Sequence, residues 1–304
     1  MSNGMPGCLA IFDLEPIGRN VFRGASPNPS LQPVFGGQLI AQSIIAASRT
    51  VQARMAHSLH AYFIRPGDPT VPITYEVEVL RDGKSYSTRR VVAMQNGRVT
   101  FSIIVSFHAG EQSAFDHQDL MPEVPPPEQV GLDTLSKKSI FSELPEGVRR
   151  WYEPDRLIDL RLPPIELRPV EIGQYVGKKA KHSNIHFWMR IAEKLPEDPA
   201  LHICALAYAS DWSLLDAVMA RYGRTVLKAD DILGASLDHA MWFHRPFRAD
   251  DWLLYAKDSP SAQGGRGLAR GLIFKRDGTL VATVTQEAAI RERRWPSRVQ
   301  RSSR

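Results

Sequence analysis

Five side chains in the second half of this 304-residue sequence have types and spacings that could do chemistry: Asp211, Ser236, Asp238, His239 and Gln286. Three of them crowd into "SLDHAMWFHRP", Ser236 to Pro246, and have the composition of a hydrolase triad. Strand alternation argues against that reading. It puts Ser236 and Asp238 on one face and turns His239 to the other. A working triad is assembled by tertiary proximity, and no G-x-S-x-G elbow is present to expose a nucleophile. Asp238 and His239 are therefore expected to be a structural hydrogen-bonded pair at a strand end, with His239 out of reach of Asp211.

Asp211 follows the apolar run "LHICALAYAS" and precedes "WSLL". It could cap a helix, and Ser213 with Asp216 fits a capping box. It could also be a carboxylate at the edge of an apolar cavity, able to polarise a water. Gln286 lies in "LVATVTQEAAI". One face of that strand is Leu280, Ala282, Val284, Gln286, Ala288 and Ile290, apolar but for the amide. A buried amide left unpaired costs about 1–3 kcal/mol, so Gln286 bonds to backbone or faces a polar site cut into the core.

The elements that must position these residues come twice. "GGQLIAQSIIAASRTV" reads as a helix and is followed by strand patterns in "SLHAYFIRP", "ITYEVEVLRDG", "YSTRRVVAMQNG" and "VTFSIIVSFH". "RDGK" and "QNGR" are hairpin turns. The second half repeats the order. "ALHICALAYASDWSLLDAVMARYG" is a helix broken near Ser210, and strands follow in "SLDHAMWFHRP", "DDWLLYAKDS", "GLARGLIFKRDG" and "LVATVTQEAAIRE". Arg65-Pro66 and Arg245-Pro246 are separated by 180 positions, and Gly97 and Gly278 by 181. That shared register marks two copies of one unit, a long helix followed by an antiparallel meander, an α+β architecture. Between them, "LMPEVPPPEQVG" (Leu120 to Gly131) reads as a linker or an extended wrap. The expected division is a first unit over 1–130, a linker over 131–165, a second unit over 166–292 and a basic tail over 293–304.

Composition narrows the function classes. The chain is 43% hydrophobic and 23% charged, as globular proteins are. No apolar run reaches the ~20 residues of a membrane span, and the N-terminus lacks signal-peptide features. The net charge of +5 is accounted for by the last 14 residues, which hold six Arg and one Glu, so no nucleic-acid surface is expected. Two cysteines, Cys8 and Cys204, suit a reducing compartment, and a cytoplasmic location is expected. "HSNIH" (His182, His186) lacks the Glu of a metal-binding H-E-x-x-H, and "GGRGLARG" is not a dinucleotide fingerprint. No cofactor or metal is expected. Trp242, Phe243 and Trp252 read as core aromatics.

The phrases "FGGQLIAQS", "HSLHAYFIRPGDP", "LAYASD", "SLDHAMWFHRPFRADDWLLY" and "VTQEAAIR" resemble, in order, the acyl-CoA thioesterase II family, over about Leu14 to Arg291. The resemblance implies a double hotdog fold, two tandem units each with an antiparallel sheet wrapped around a central helix. It implies hydrolysis of acyl-CoA to fatty acid and CoA. It assigns the water to Asp211, Ser236 and Gln286, with Ser236 a hydroxyl where some members have Thr. A positioned water suffices because a thioester is already activated. Gly36 and Gly37, where a helix begins, are candidates to bind the substrate's oxyanion through backbone N–H groups; a plain glycine turn is the alternative. Val105 stands at the place of Gln286 in the first unit, so one active site per chain is expected. Paired hotdog sheets imply a homo-oligomer, a dimer or tetramer. The competing readings are a hotdog enoyl-CoA hydratase and a non-catalytic acyl-CoA-binding protein.

Overall fold

The computed structural model describes residues 7–26, 33–131, 139–149, 151, 164–225 and 232–292. The basic tail, and parts of the linker and of the segment before Ile232, lie outside the described residues. The first half contributes α1 (Cys8–Phe12), β1 (Glu15–Gly18), β2 (Val21–Gly24), α2 (Gly36–Ser48), β3 (Met55–Phe63), β4 (Ile73–Asp82), β5 (Tyr86–Gln95) and β6 (Arg98–His108). A short helix, α3 (Glu146–Arg149), lies in the connection. The second half contributes β7 (Ile165–Pro169), β8 (Ile185–Ile191), α4 (Pro199–Ser210), α5 (Asp216–Ala220), β9 (Ile232–Ser236), β10 (Asp238–Phe243), β11 (Leu253–Gln263), β12 (Arg266–Lys275) and β13 (Leu280–Glu292).

The described strands form one antiparallel sheet in the order β1-β2-β4-β5-β6-β3-β10-β13-β12-β11-β8-β7, with β9 also paired to β13. The order reads as a palindrome about the β3/β10 junction, where His60 faces Ala240, two residues 180 positions apart. The sequence repeat is thus a near-twofold relation, and each half supplies the edge that the other closes. Closing those two edges on each other also removes the exposed central edges that isolated meanders would present.

Local chemistry sets the strands. Ile73, Tyr75 and Val77 are buried on β4 while Glu76 and Glu78 face out, the period-two pattern of a half-buried strand. Asn96 and Gly97 both have positive φ (50° and 71°) and turn β5 into β6, as an Asn-Gly hairpin requires.

The two long helices are buried nearly all round. Eleven of the thirteen residues of α2 are buried, as are residues 202–210 of α4. A helix enclosed by a sheet on one side and a second helix on the other needs apolar or small residues on every face. Gly37 is the point of closest approach: a Cβ added there would collide with the Tyr208 carbonyl oxygen of α4 and the Phe35 ring. One continuous apolar core runs through both halves.

The proline-rich segment is an extended wrap. Met121, Val124 and Val130 cover the outer face of the second half over Trp188, Trp252, Leu254 and Phe274, and Trp188 Nε1 donates to the Pro125 carbonyl at 2.8 Å. Trp252 therefore belongs to this outer cluster rather than to the central core. Trp242 and Phe243 are only half-buried.

One irregularity decides the site. Ser236 pairs with Ala288 but Ala240 pairs with Thr285, so β9 and β10 carry one more residue than the β13 segment opposite. This bulge at Leu237–Asp238 breaks the alternation. Ser236 and His239, three apart, both face inward. β3 has the same shift, with Ala56 opposite Phe107 and Ser58 opposite Ser106.

Gly37→Ala is expected to push α2 away from α4 and to destabilise the protein by about 1–3 kcal/mol, measured as a lowered midpoint in urea unfolding.

Candidate active site

Gln286 is fully buried on the inward face of β13. Its Nε2 donates to Asp211 Oδ1 at 2.8 Å and to Ser236 Oγ at 2.6 Å. Three residues separated by 25 and 50 positions along the chain are thus joined by one amide nitrogen. Because both neighbours can accept, the amide must present nitrogen to them and oxygen to the other side.

On that other side is His239, also fully buried. Its Nδ1 lies 3.3 Å from Gln286 Oε1 and its Nε2 lies 3.1 Å from Ser210 Oγ. Burial pushes the imidazole below its ordinary pKa, against the upward pull of Asp211, Gln286 and Asp238. The ring is therefore neutral near pH 7, and the assigned amide orientation, which turns Gln286 Oε1 toward Nδ1, calls for the proton on Nδ1. It donates to Gln286 and so fixes which way the amide faces.

The expected Asp238–His239 pair does not form, and His239 is not out of reach of Asp211. Asp238 Oδ1 instead accepts from the Glu287 backbone N–H at 2.7 Å, closing the bulge. Regular alternation would have turned His239 outward; the extra residue turns it in. Segment length gave no signal, because residues 56–63 of the first half carry the same bulge. By register, Leu59 occupies the first-half position of His239.

Asp211 is the residue that ends α4, and no side-chain cap involves it. Nor do Ser213 and Asp216 form a capping box. Ser213 Oγ accepts from Lys257, and Asp216 is buried and accepts from Tyr175. The break in the helix at 211–215 releases the Asp211 side chain toward the start of α2. A Cβ added at Gly36 would lie 2.6 Å from Asp211 Oδ2 and 2.7 Å from the Phe63 ring. Only glycine lets the backbone come this near the carboxylate. The first turn of α2 has no side-chain cap, and the Gly36 and Gly37 amides donate no hydrogen bond among the described residues. They are two N–H donors at a helix N-terminus beside a carboxylate.

The related place in the first half lacks every part. Ala56, Leu59 and Val105 stand where Ser236, His239 and Gln286 stand, all buried. Arg49, not an acid, ends α2. The N-terminus of α4 is capped by Asp198, whose Oδ1 accepts from Ala200 N at 2.9 Å.

The remaining candidates have structural roles. His186 pairs with Glu171 at 2.8 Å, and no cluster of metal-ligating side chains occurs among the described residues. Both cysteines are free thiols, buried and pushed up in pKa. No described helix is long and apolar enough to cross a membrane.

This sheet wrapped around two central helices, built from two like halves, is a double hotdog fold, and comparison with known proteins agrees. Residues 161–289 match the family described as acyl-CoA thioesterase, and residues 25–108 match the acyl-CoA thioesterase N-terminal domain. Acyl-coenzyme A thioesterase 8 of Mus musculus is 38% identical over 93% of this chain and 88% of its own length. Acyl-CoA thioesterase 2 of Haemophilus influenzae is 34% identical over 96% of this chain and 99% of its own. The crystal structure of an acyl-CoA thioesterase II from Mycobacterium marinum is 38% identical. It superposes with a TM-score of 0.74 over 94% of this chain and 98% of that one. The chain belongs to the acyl-CoA thioesterase family and is an acyl-CoA thioesterase.

His239→Phe keeps a flat aromatic ring and removes the donor. It is expected to lower kcat about tenfold or more, through an amide free to rotate, with KM nearly unchanged. Steady-state kinetics on the folded variant check this.

Proposed function

We propose that Asp211, Ser236 and Gln286 hold and activate the water that splits acyl-CoA into free fatty acid and CoA. The observation that carries this reading is the bridge from Gln286 Nε2 to both Asp211 Oδ1 and Ser236 Oγ. It spends one oxygen of the carboxylate on orientation and leaves Oδ2, beside Gly36, to accept a proton from water. The Ser236 hydroxyl accepts from Gln286 and keeps its own proton free to turn toward the water.

The chemistry follows from these positions. The water oxygen attacks the thioester carbonyl carbon while its proton passes to Asp211. Charge develops on the carbonyl oxygen, and the free Gly36 and Gly37 amides are the donors assigned to it; one such donor is worth ~10²–10³ in rate. The tetrahedral intermediate collapses with cleavage of the C–S bond. CoA thiolate leaves and takes up a proton, and the acid departs. No covalent enzyme intermediate is needed. One site per chain is supported by Ala56, Leu59 and Val105 in the first half, and by the capped N-terminus of α4.

A hydratase reading gains an imidazole near the carboxylate. Both ring nitrogens of His239 are engaged, however, by Gln286 and Ser210. Neither is left to protonate a substrate carbon. The free, buried thiols support a reducing, cytoplasmic setting, and the repeat supports units over 1–130 and 166–292. Assembly as a dimer or tetramer remains part of the same proposal.

Asp211→Asn should reduce kcat for thiol release by ~10²–10⁴ while the protein stays folded. Full activity in that variant overturns the assignment. Loss of the crotonyl-CoA absorbance without thiol release would favour the hydratase reading.

A further inference from the structure

Lys257 is the only lysine among the fully buried large side chains of the described residues, and the mechanism above does not use it. It lies on β11, opposite Ile185 of β8 and Gly271 of β12. Its Nζ donates to the Ser213 carbonyl and to Ser213 Oγ, both at 2.8 Å. The Phe187 ring centroid is 3.5 Å from Nζ, and Tyr255, Asp216 and Glu171 complete its electrostatic surroundings. Two residues earlier on the same face of β11, Tyr255 OH donates to the Ser210 carbonyl at 3.2 Å. Ser210 and Ser213 flank Asp211. The strand therefore grips the chain on both sides of the carboxylate, once at the last turn of α4 and once in the loop that follows.

Neighbouring residues make room for this grip. A Cβ at Gly271 would collide with the Tyr255 ring, and a Cβ at Gly267 would collide with Val218 of α5. The glycine-rich "GGRGLARG" segment thus lets Tyr255 and the 211–220 stretch settle onto the sheet. On the far side of the loop, Trp212 packs edge-on against Phe35, with ring centroids 5.4 Å apart, immediately before Gly36. The loop is seated between β11 and the start of α2.

Burying a lysine is costly, and an apolar residue of similar volume often serves stability as well or better. Burial lowers the Lys257 pKa, and Asp216 opposes that shift. What an apolar residue cannot supply is a directed double donor to Ser213. Asp211 ends a helix and sits on an irregular loop, and a short carboxylate has little reach with which to correct a misplaced backbone.

We propose that Tyr255 and Lys257 are positioning residues, a two-point clamp that sets the place of Asp211 for proton abstraction. The proposal rests on Asp211 as the base. It assigns the clamp to the reaction rather than to substrate binding, because the hydrogen bonds of both side chains go to Ser210 and Ser213, on either side of Asp211, and not to the Asp211–Ser236–Gln286 cluster itself. Both act through the main chain of residues 210–213.

The test is a cycle of four proteins: wild type, Lys257→Met, Asp211→Asn and the double variant, with Tyr255→Phe beside them. Kinetics use a saturated acyl-CoA that the wild type hydrolyses. Binding uses an unreactive thioether analogue of it, and folding is checked by thermal unfolding. Lys257→Met is expected to lower kcat at least about tenfold, with KM and analogue affinity within about twofold. In the Asp211→Asn background it should lower kcat no further, since a base that is absent cannot be misplaced. Tyr255→Phe, which removes a single hydroxyl, should lower kcat in the same direction; it decides the matter if Lys257→Met does not fold. Unchanged kcat in the folded single variants overturns the clamp. So does an equal loss in the Asp211→Asn background, or a change confined to KM. Failure of the underlying reading shows separately, as full activity in Asp211→Asn alone.

Discussion

A primary amide with no access to water must have its N–H groups and its carbonyl paired, and Gln286 is such an amide. Its partners come from three places: the end of α4, the end of β9 and the inward face of β10. The bulge at Leu237–Asp238, the break after Ser210 and the neutral state of His239 all serve that one requirement. Remove any of them and the amide either turns around or loses a partner in a low-dielectric interior, where the loss is expensive.

The same constraint explains why two nearly equivalent halves give unequal sites. Backbone features are shared: the palindromic strand order, the bulge beside the dyad and the buried central helix. Side chains are not. Where Gln286 sits in the second half, Val105 needs no partners, and Leu59 and Ala56 pack around it as plain core. The helix N-termini diverge in the complementary sense. α2 starts with two glycines and no side-chain cap, whereas Asp198 seals the start of α4. Each half thus gives one end of the proposed site. The glycines come from the first helix, and the acid, hydroxyl and amide come from the second unit.

Polar burial also marks where stability has been spent on geometry. Around residues 210–225, Lys257, Asp216, Tyr175 and Tyr255 lie deep in the core, each tied to a named acceptor or donor. Burial pushes Asp216 up and Lys257 down, each opposed by the other's charge. An apolar core would seat the same sheet with less penalty. The polar ties instead fix a short irregular segment that neither helix nor strand hydrogen bonding could hold, and that segment carries the acid.

Much of this was legible in the sequence, for physical reasons. Helical and alternating periodicities gave the two helices and most strands, because burial of one face imposes those periods. The 180-residue register gave the repeat, and the lone amide on an apolar strand face singled out Gln286, because buried polarity is rare enough to stand out. The role of His239 was not legible. Alternation placed it outward, and a one-residue bulge, set by pairing with β13, turned it in. The Ser213–Asp216 capping pattern was misleading for a like reason: β11, some 40 residues further along the chain, brings Lys257 to Ser213, while Tyr175 takes Asp216. Sequence by itself determined which residue types and periods were available. Tertiary structure alone decided which of them meet, since the amide, acid, hydroxyl and imidazole are brought together by strand register and helix breaks rather than by proximity along the chain.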